Sequence, residues 1–322
     1  MKLSLPARLA SFALASSLSL TAAAQDETVV SAAFKSVFYL PVYFAQEHGY
    51  FKDKGLNVRI DVASSSTNAL AAVISKSADF SLHGPEWTAI SFGRGAPVKI
   101  VGGTLNRLGV WLTCRADVPY SGFASLAGKK ISTGAMPTTS TSAFLRLVQQ
   151  AGLNPKKDLQ IVEVPMGNEI GPLSSGQADC AVLYEPGASQ AEAQGYKVVA
   201  AFAKQVGPYT FSAISTRKDI DPSVSQHFVS GIDRALKAIH KDPEAAVASG
   251  LKLFPNLAPE VVRASVLRLI NDGVFADSVA IDPKALHNAL QTQVDLGNLG
   301  QIPSDSSWVD LGWADKQAAK SY

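Results

Sequence analysis

The chain has 322 residues, with 29 Lys and Arg against 27 Asp and Glu, a net charge of +2, and 47% hydrophobic residues. This near-balance excludes a protein drawn to nucleic acid or anionic membranes by net charge, and the length allows two domains of ordinary size. Two cysteines and five scattered histidines (His48, His83, His227, His240, His287) give no metal-ligand spacing, so no metal and no cofactor is expected.

Residues 1–24 read as a signal peptide. Lys2 and Arg8 give a basic start, "LASFALASSLSLTA" is an apolar core too short to span a bilayer comfortably, and Ala22–Ala24 offer small residues before Gln25. That stretch holds two of the basic residues and no acidic one, so its removal leaves no net charge. The first cysteine is Cys114, so none follows the cleavage site to take a lipid. A soluble periplasmic protein is expected. Cys114 and Cys180 are small residues in strand-like runs and are expected to be two separate buried thiols.

Strand-like and helix-like runs then alternate. "TVVSAA" is a strand, and "YLPVYFAQEHGYF" is a helix with Pro41 near its start and Gly49 as its stop. "VRIDVA" (strand), "SSSTNALAAVISK" (helix), "DFSL" (strand), "PEWTAISFGRG" (helix) and "VKIVGG" (strand) follow. The pattern restarts with "KKISTG", "TTSTSAFLRLVQQAG", "LQIVEV", "NEIGPLSSG", "CAVL", "PGASQAEAQG" and "KVVAAF", and "TFSAIS" is a further strand. This order predicts α/β layers with largely parallel sheets. From Pro222 the chain reads as helical, with Pro222, Pro243, Pro259 and Pro283 at helix starts. Ser75–Trp87 and Ser174–Pro186 echo one another, with Asp79 and Asp179 in equivalent places, which points to two lobes of like topology.

No His-Glu-x-x-His, Gly-x-Ser-x-Gly, phosphate loop or dinucleotide fingerprint is present. Features suited to binding are better represented, at the turns that follow the strands, where open α/β sheets present ligands. The first such turn holds Phe38 and Tyr39, the second Ser64, Ser65 and Ser66, and the third Gly84, Glu86 and Trp87. In the second half they hold Thr138, Thr139 and Ser140, then Asn168, then Glu185. Ser64–Thr67 and Thr138–Thr141 place hydroxyls and free N–H groups at helix starts, which suits an anion or polar headgroup. One such run alone is ordinary capping, and the aromatics, Trp111 included, taken singly suit a core.

"YLPVYFAQEHGYFKDKGLNVRI" resembles a block in solute-binding proteins of nitrate/sulfonate/taurine-class ABC importers: Pro41 and Ala45, then Gly49-Tyr50-Phe51, then Gly55-Leu56-Asn57-Val58. "AAVISKSADF", "SLAGKKIS", "LSSGQADCAV" and "YEPGASQA" resemble the class in order and spacing. The resemblance implies a type II-like periplasmic-binding-protein fold with two crossing strands as hinge and a helical C-terminal tail. It implies lobe I at 25–110 plus 212–322, lobe II at 111–211, and ligand in the cleft. The implied role is delivery of a small organic anion, a sulfonate, taurine or carboxylate, to a membrane permease by a monomer that performs no catalysis. Thiamine-pyrimidine-precursor binders are related, and a heterocycle held by Glu86 or Glu185 and stacked on Trp87 or Trp111 is the alternative. A related cytosolic pyrimidine synthase has a cysteine-rich motif that this sequence lacks. An exported enzyme and a ligand-presenting sensor subunit are the rivals from other classes.

Overall fold

The computed structural model describes residues 27–136 and 138–319, so the expected signal peptide lies outside the described residues. The chain first builds β1 (Glu27–Ala32), α1 (Leu40–Glu47), β2 (Asn57–Val62), α2 (Ser66–Ile74), β3 (Phe80–His83), α3 (Pro85–Gly93) and β4 (Val98–Leu105). It crosses to β5 (Trp111–Cys114), β6 (Lys130–Gly134), α4 (Thr139–Gln150), α5 (Pro155–Asp158), β7 (Gln160–Val164), α6 (Ile170–Ser174), β8 (Cys180–Leu183), α7 (Gly187–Ala193) and β9 (Lys197–Ala201). It returns through α8 (Phe202–Val206) to β10 (Ser212–Arg217). The tail is α9 (Pro222–Lys241), α10 (Pro243–Leu253), α11 (Pro259–Asn271), α12 (Pro283–Asp295) and α13 (Gly312–Ala319).

Two five-stranded mixed sheets result, ordered β2-β1-β3-β10-β4 and β7-β6-β8-β5-β9. In each, four strands run in one direction and the fifth, β10 or β5, lies antiparallel between two of them. The molecule is therefore a two-lobed α/β protein. β5 is absent from the expected strands because "WLTC" is short and becomes a strand only through pairing with β8 and β9.

The sequence echo has a structural counterpart. Asp79 accepts the Val29 N–H at 2.9 Å, and Asp179 accepts the Lys130 N–H at 2.9 Å, so each fixes the start of its lobe's central parallel strand. Each also pairs with an arginine from the antiparallel strand, Arg217 with Asp79 at 3.1 Å and Arg115, just past β5, with Asp179 at 3.2 Å.

The two crossing segments are hydrogen-bonded to one another: Phe202 N–H to Val110 O, Tyr209 N–H to Asn106 O, and Phe211 N–H to Leu105 O. Such paired, non-helical segments can absorb the dihedral changes of a hinge. The helical tail packs on both lobes. In α9, Phe228, Ile232, Leu236 and Ile239 are buried at helical spacing, and Phe228 stacks on Phe80 and Phe51. α11 and α12 reach across to the second lobe, where Arg268 pairs with Glu185 at 2.6 Å and Arg146 donates to Thr292 at 2.7 Å.

The expectation of two separate thiols is corrected. Cys114 and Cys180 form a disulfide, because antiparallel pairing of β5 with β8 sets the two residues directly opposite. Among the described residues no helix is long and apolar enough to cross a membrane, and no group of three or more His, Cys, Asp or Glu could hold a metal ion.

Candidate functional site between the lobes

The strand ends of the two sheets meet around an aromatic cluster. Phe34, Phe38 and Tyr39 come from the turn after β1, Tyr184 from the end of β8, and Phe211 from the returning crossing segment. Phe34 lies 4.9 Å from Tyr184 between ring centroids, Phe38 lies 5.6 Å from Tyr184, and Phe38 lies 5.0 Å from Phe211, with the rings edge to face. Ser36 caps the turn by accepting from Phe38 N–H and donates its own hydroxyl to the Glu185 carbonyl at 2.5 Å, which ties the lobes together.

The start of α4 faces this cluster. Thr138 caps the helix, Ser140 meets the Tyr184 hydroxyl at 2.5 Å, and Thr141 donates to the Gly134 carbonyl at 2.7 Å. All three are buried. Thr139 donates across the lobes to Glu86 Oε1 at 2.6 Å. Glu86 is 1% exposed, and its second oxygen has no hydrogen-bond partner. Burial pushes its carboxyl up to about 7, against the pull of the Thr139 hydroxyl and of its own backbone N–H.

A second carboxyl stands nearby. Glu169 is also 1% exposed, accepts from Gly167 N–H at 2.9 Å, and leaves Oε1 without a partner. Burial raises it too to about 7. A Cβ placed on Gly134 would lie 3.2 Å from Glu169 Oε1 and 3.5 Å from Thr138 Oγ1, so this carboxyl reaches the same helix start. Burial, and after it the nearby Glu169 carboxyl, push the Tyr184 phenol well above its ordinary range. A cavity of about 200 Å³ opens here, lined by Phe34, Lys35, Gly167, Glu169 and Tyr184 among others. At about 30 Å³ per water it has the volume of roughly seven waters, which suits a small solute. Glu169 lines this cavity and Glu86 does not, while larger hollows of about 580 and 760 Å³ lie elsewhere and include neither carboxyl and none of the aromatic cluster.

The remaining expected site residues separate. Phe38, Tyr39, Gly84, Glu86, Thr138, Thr139 and Ser140 gather at the lobe junction. At the other hydroxyl-rich start, Ser64 is exposed, Ser65 caps α2 by accepting from Asn68 N–H at 3.1 Å, and Ser66 is buried in the first turn of that helix. Trp87 packs with Leu70, Val73 and Val98 in a small cluster of the first lobe. Trp111 donates to Asp272 at 2.9 Å, with the Arg268 guanidinium over its ring. Asn168 is exposed, while its neighbour Glu169 is the buried group. The Glu185 carboxylate is fully engaged by Ser189, Ser265 and Arg268 and is a structural anchor beneath the site. His83 is buried and engaged at both ring nitrogens by Ser81 and the Gly84 carbonyl, and burial lowers it to about 4, so the ring is neutral.

Three participants escape the sequence reading: Phe34, Tyr184 and Glu169. Each adjoins or nearly adjoins a residue singled out there, and each lies in a turn already identified as facing the strand ends.

Comparison with known proteins gives consistent results. A family model described as NMT1/THI5 like matches residues 38–246. YtlA of Bacillus subtilis, a proposed binding protein, is 26% identical over 307 residues, covering 91% of this chain and 90% of its own. The alkanesulfonate-binding protein SsuA from Xanthomonas axonopodis, bound to MOPS, superposes with a TM-score of 0.70 at 16% identity, over 86% of this chain and 94% of that one. The desulfurization enzyme DSZB superposes with a TM-score of 0.65 at 15% identity, over 92% and 100%. The shared fold thus serves both binding and catalysis.

Proposed function

This chain belongs to the NMT1/THI5-like family, and from that premise we propose that it is the periplasmic solute-binding component of an ABC import system. Its lobes, taken as 25–110 plus 212–322 and 111–211, close on a small ligand, and a membrane permease receives it. The protein acts as a monomer and performs no covalent chemistry. A neutral His83 engaged at both nitrogens and cysteines tied in a disulfide support binding over catalysis.

The ligand is a small heterocycle rich in N–H donors, neutral or protonated, rather than a sulfonate. One observation carries this: Glu86 and Glu169, one from each lobe, are buried beside the aromatic cluster, and each keeps one carboxyl oxygen without a partner. Ligand N–H groups would satisfy both oxygens, and the aromatic edges and faces would hold the ring. A sulfonate would instead meet two carboxyls. The sulfonate ligand of SsuA belongs to a protein that shares the fold at 16% identity.

A thermal-shift screen with aminopyrimidines and related bases against alkanesulfonates and carboxylates tests this. A ligand at a hundred times its Kd adds about 2.7 kcal/mol to stability. Heterocycles are expected to raise the melting temperature by several degrees and the anions to leave it unchanged. A shift with alkanesulfonates alone would overturn the ligand class.

A further inference from the structure

The start of α4 has the attributes of an anion site. α4 is a twelve-residue helix, its first turn presents buried hydroxyls, and the N-terminal end of a helix favours negative charge. The group that reaches it is part of the protein. Thr139 donates to Glu86 Oε1 at 2.6 Å across 53 positions of sequence and from one lobe to the other. Glu86 Oε2 lies buried in the same place without a partner.

The backbone is shaped for this arrangement. A Cβ on Gly84 would stand 2.1 Å from Thr139 Oγ1 and 2.4 Å from both Glu86 carboxyl oxygens. Only a residue without a side chain leaves room there for the carboxyl to fold over the end of β3 and meet the second lobe. A carboxylate serving only the first turn of its own helix would need no such clearance.

From this geometry we infer that Glu86 determines the charge class of the ligand, because its carboxyl occupies the position at the α4 start that a small anion would take. The inference rests on the reading of the cleft as the ligand site. It adds that anion affinity is latent in this chain and suppressed by one residue. Removal of the carboxyl frees the Thr139 hydroxyl and the helix start. Glu169 remains and limits the gain.

The test is calorimetric titration of the wild type, Glu86→Ala and Glu86→Ser with ethanesulfonate, inorganic sulfate and 4-aminopyrimidine, each variant checked for folding by circular dichroism. Ethanesulfonate or sulfate is expected to bind both variants at least about tenfold more tightly than the wild type, the scale of one hydrogen bond to a charged group. Adding Thr139→Val to Glu86→Ala is expected to remove the gain. Folded variants that bind these anions no better than the wild type would overturn the inference, and so would a wild type that binds them equally well. Failure of 4-aminopyrimidine to bind the wild type, together with an anion gain in the variants, would count against the proposed ligand class and leave the role of Glu86 standing.

Discussion

The two hydroxyl-rich helix starts, Ser64–Thr67 before α2 and Thr138–Thr141 before α4, look alike in sequence and differ in the folded protein. At α2, Ser65 caps the helix and Ser64 is exposed. At α4, Thr138 caps in the same way, but Thr139 and Ser140 are buried against the other lobe and the aromatic cluster, on Glu86 and Tyr184. The capping chemistry is shared, and what the second start adds is its position at the junction of two sheets. A run of Ser and Thr therefore identifies a helix start, while tertiary placement decides whether the surplus hydroxyls hold other groups at the junction of the lobes.

Substitutions at both starts separate capping from binding. Thr139→Ala with Ser140→Ala removes the two buried hydroxyls that hold the Glu86 carboxyl and the Tyr184 hydroxyl in place, and the ligand is expected to bind about a hundredfold more weakly in calorimetry, at about 1–1.5 kcal/mol for each positioning hydrogen bond lost. Glu86→Gln tests the acceptor on the opposite lobe. Above about pH 7, where the Glu86 carboxyl is ionised, replacing it is expected to lower affinity for an N–H-donating heterocycle by roughly tenfold to a hundredfold.

A third prediction concerns pH. Glu86 and Glu169 have their folded values raised from an ordinary 4.5 to about 7 by burial. The fold therefore favours their protonated forms. The stability they contribute is complete below about pH 4.5 and is lost as pH rises through 7. The melting temperature of the ligand-free protein should fall between about pH 5 and pH 8, and Glu86→Gln should flatten that fall. An unchanged slope would show that Glu86 is not buried as described. The smallest effect belongs to α2. Ser65→Ala with Ser66→Ala should cost about 1 kcal/mol of stability from the lost cap and leave ligand affinity unchanged. Weakened binding in that variant would make the two starts equivalent after all.

Much of the architecture is legible in the sequence because its causes are local. Proline near the starts of α9 to α12 and the helical spacing within α9 are chain-neighbour signals, and so is the repeated Ala-Asp before β3 and β8, where Asp79 and Asp179 fix strand starts. The site is less legible because its causes lie between distant segments. Tyr184 and Glu185 are adjacent at the end of β8, where successive side chains point to opposite sides. One joins the aromatic cluster and the other turns to Arg268, an assignment that needs the register and the partner helix. The same holds for Asn168 and Glu169, and for Trp87 and Glu86 on one helix turn. The Cys114–Cys180 pairing depended on β5, a strand too short to announce itself without its neighbours. Phe34, in the turn after β1, and Phe211, at the end of the returning crossing, join one cluster from segments far apart in the sequence.

The most direct test is a crystal structure of the protein grown with an aminopyrimidine that shifts its melting temperature. The ring is expected beside Tyr184 and Phe38, with a ring or exocyclic nitrogen within about 3 Å of a carboxyl oxygen of Glu86 or Glu169. A ligand bound at the α2 start, or in another hollow with Glu86 still joined to Thr139 and both free oxygens unaltered, would contradict it.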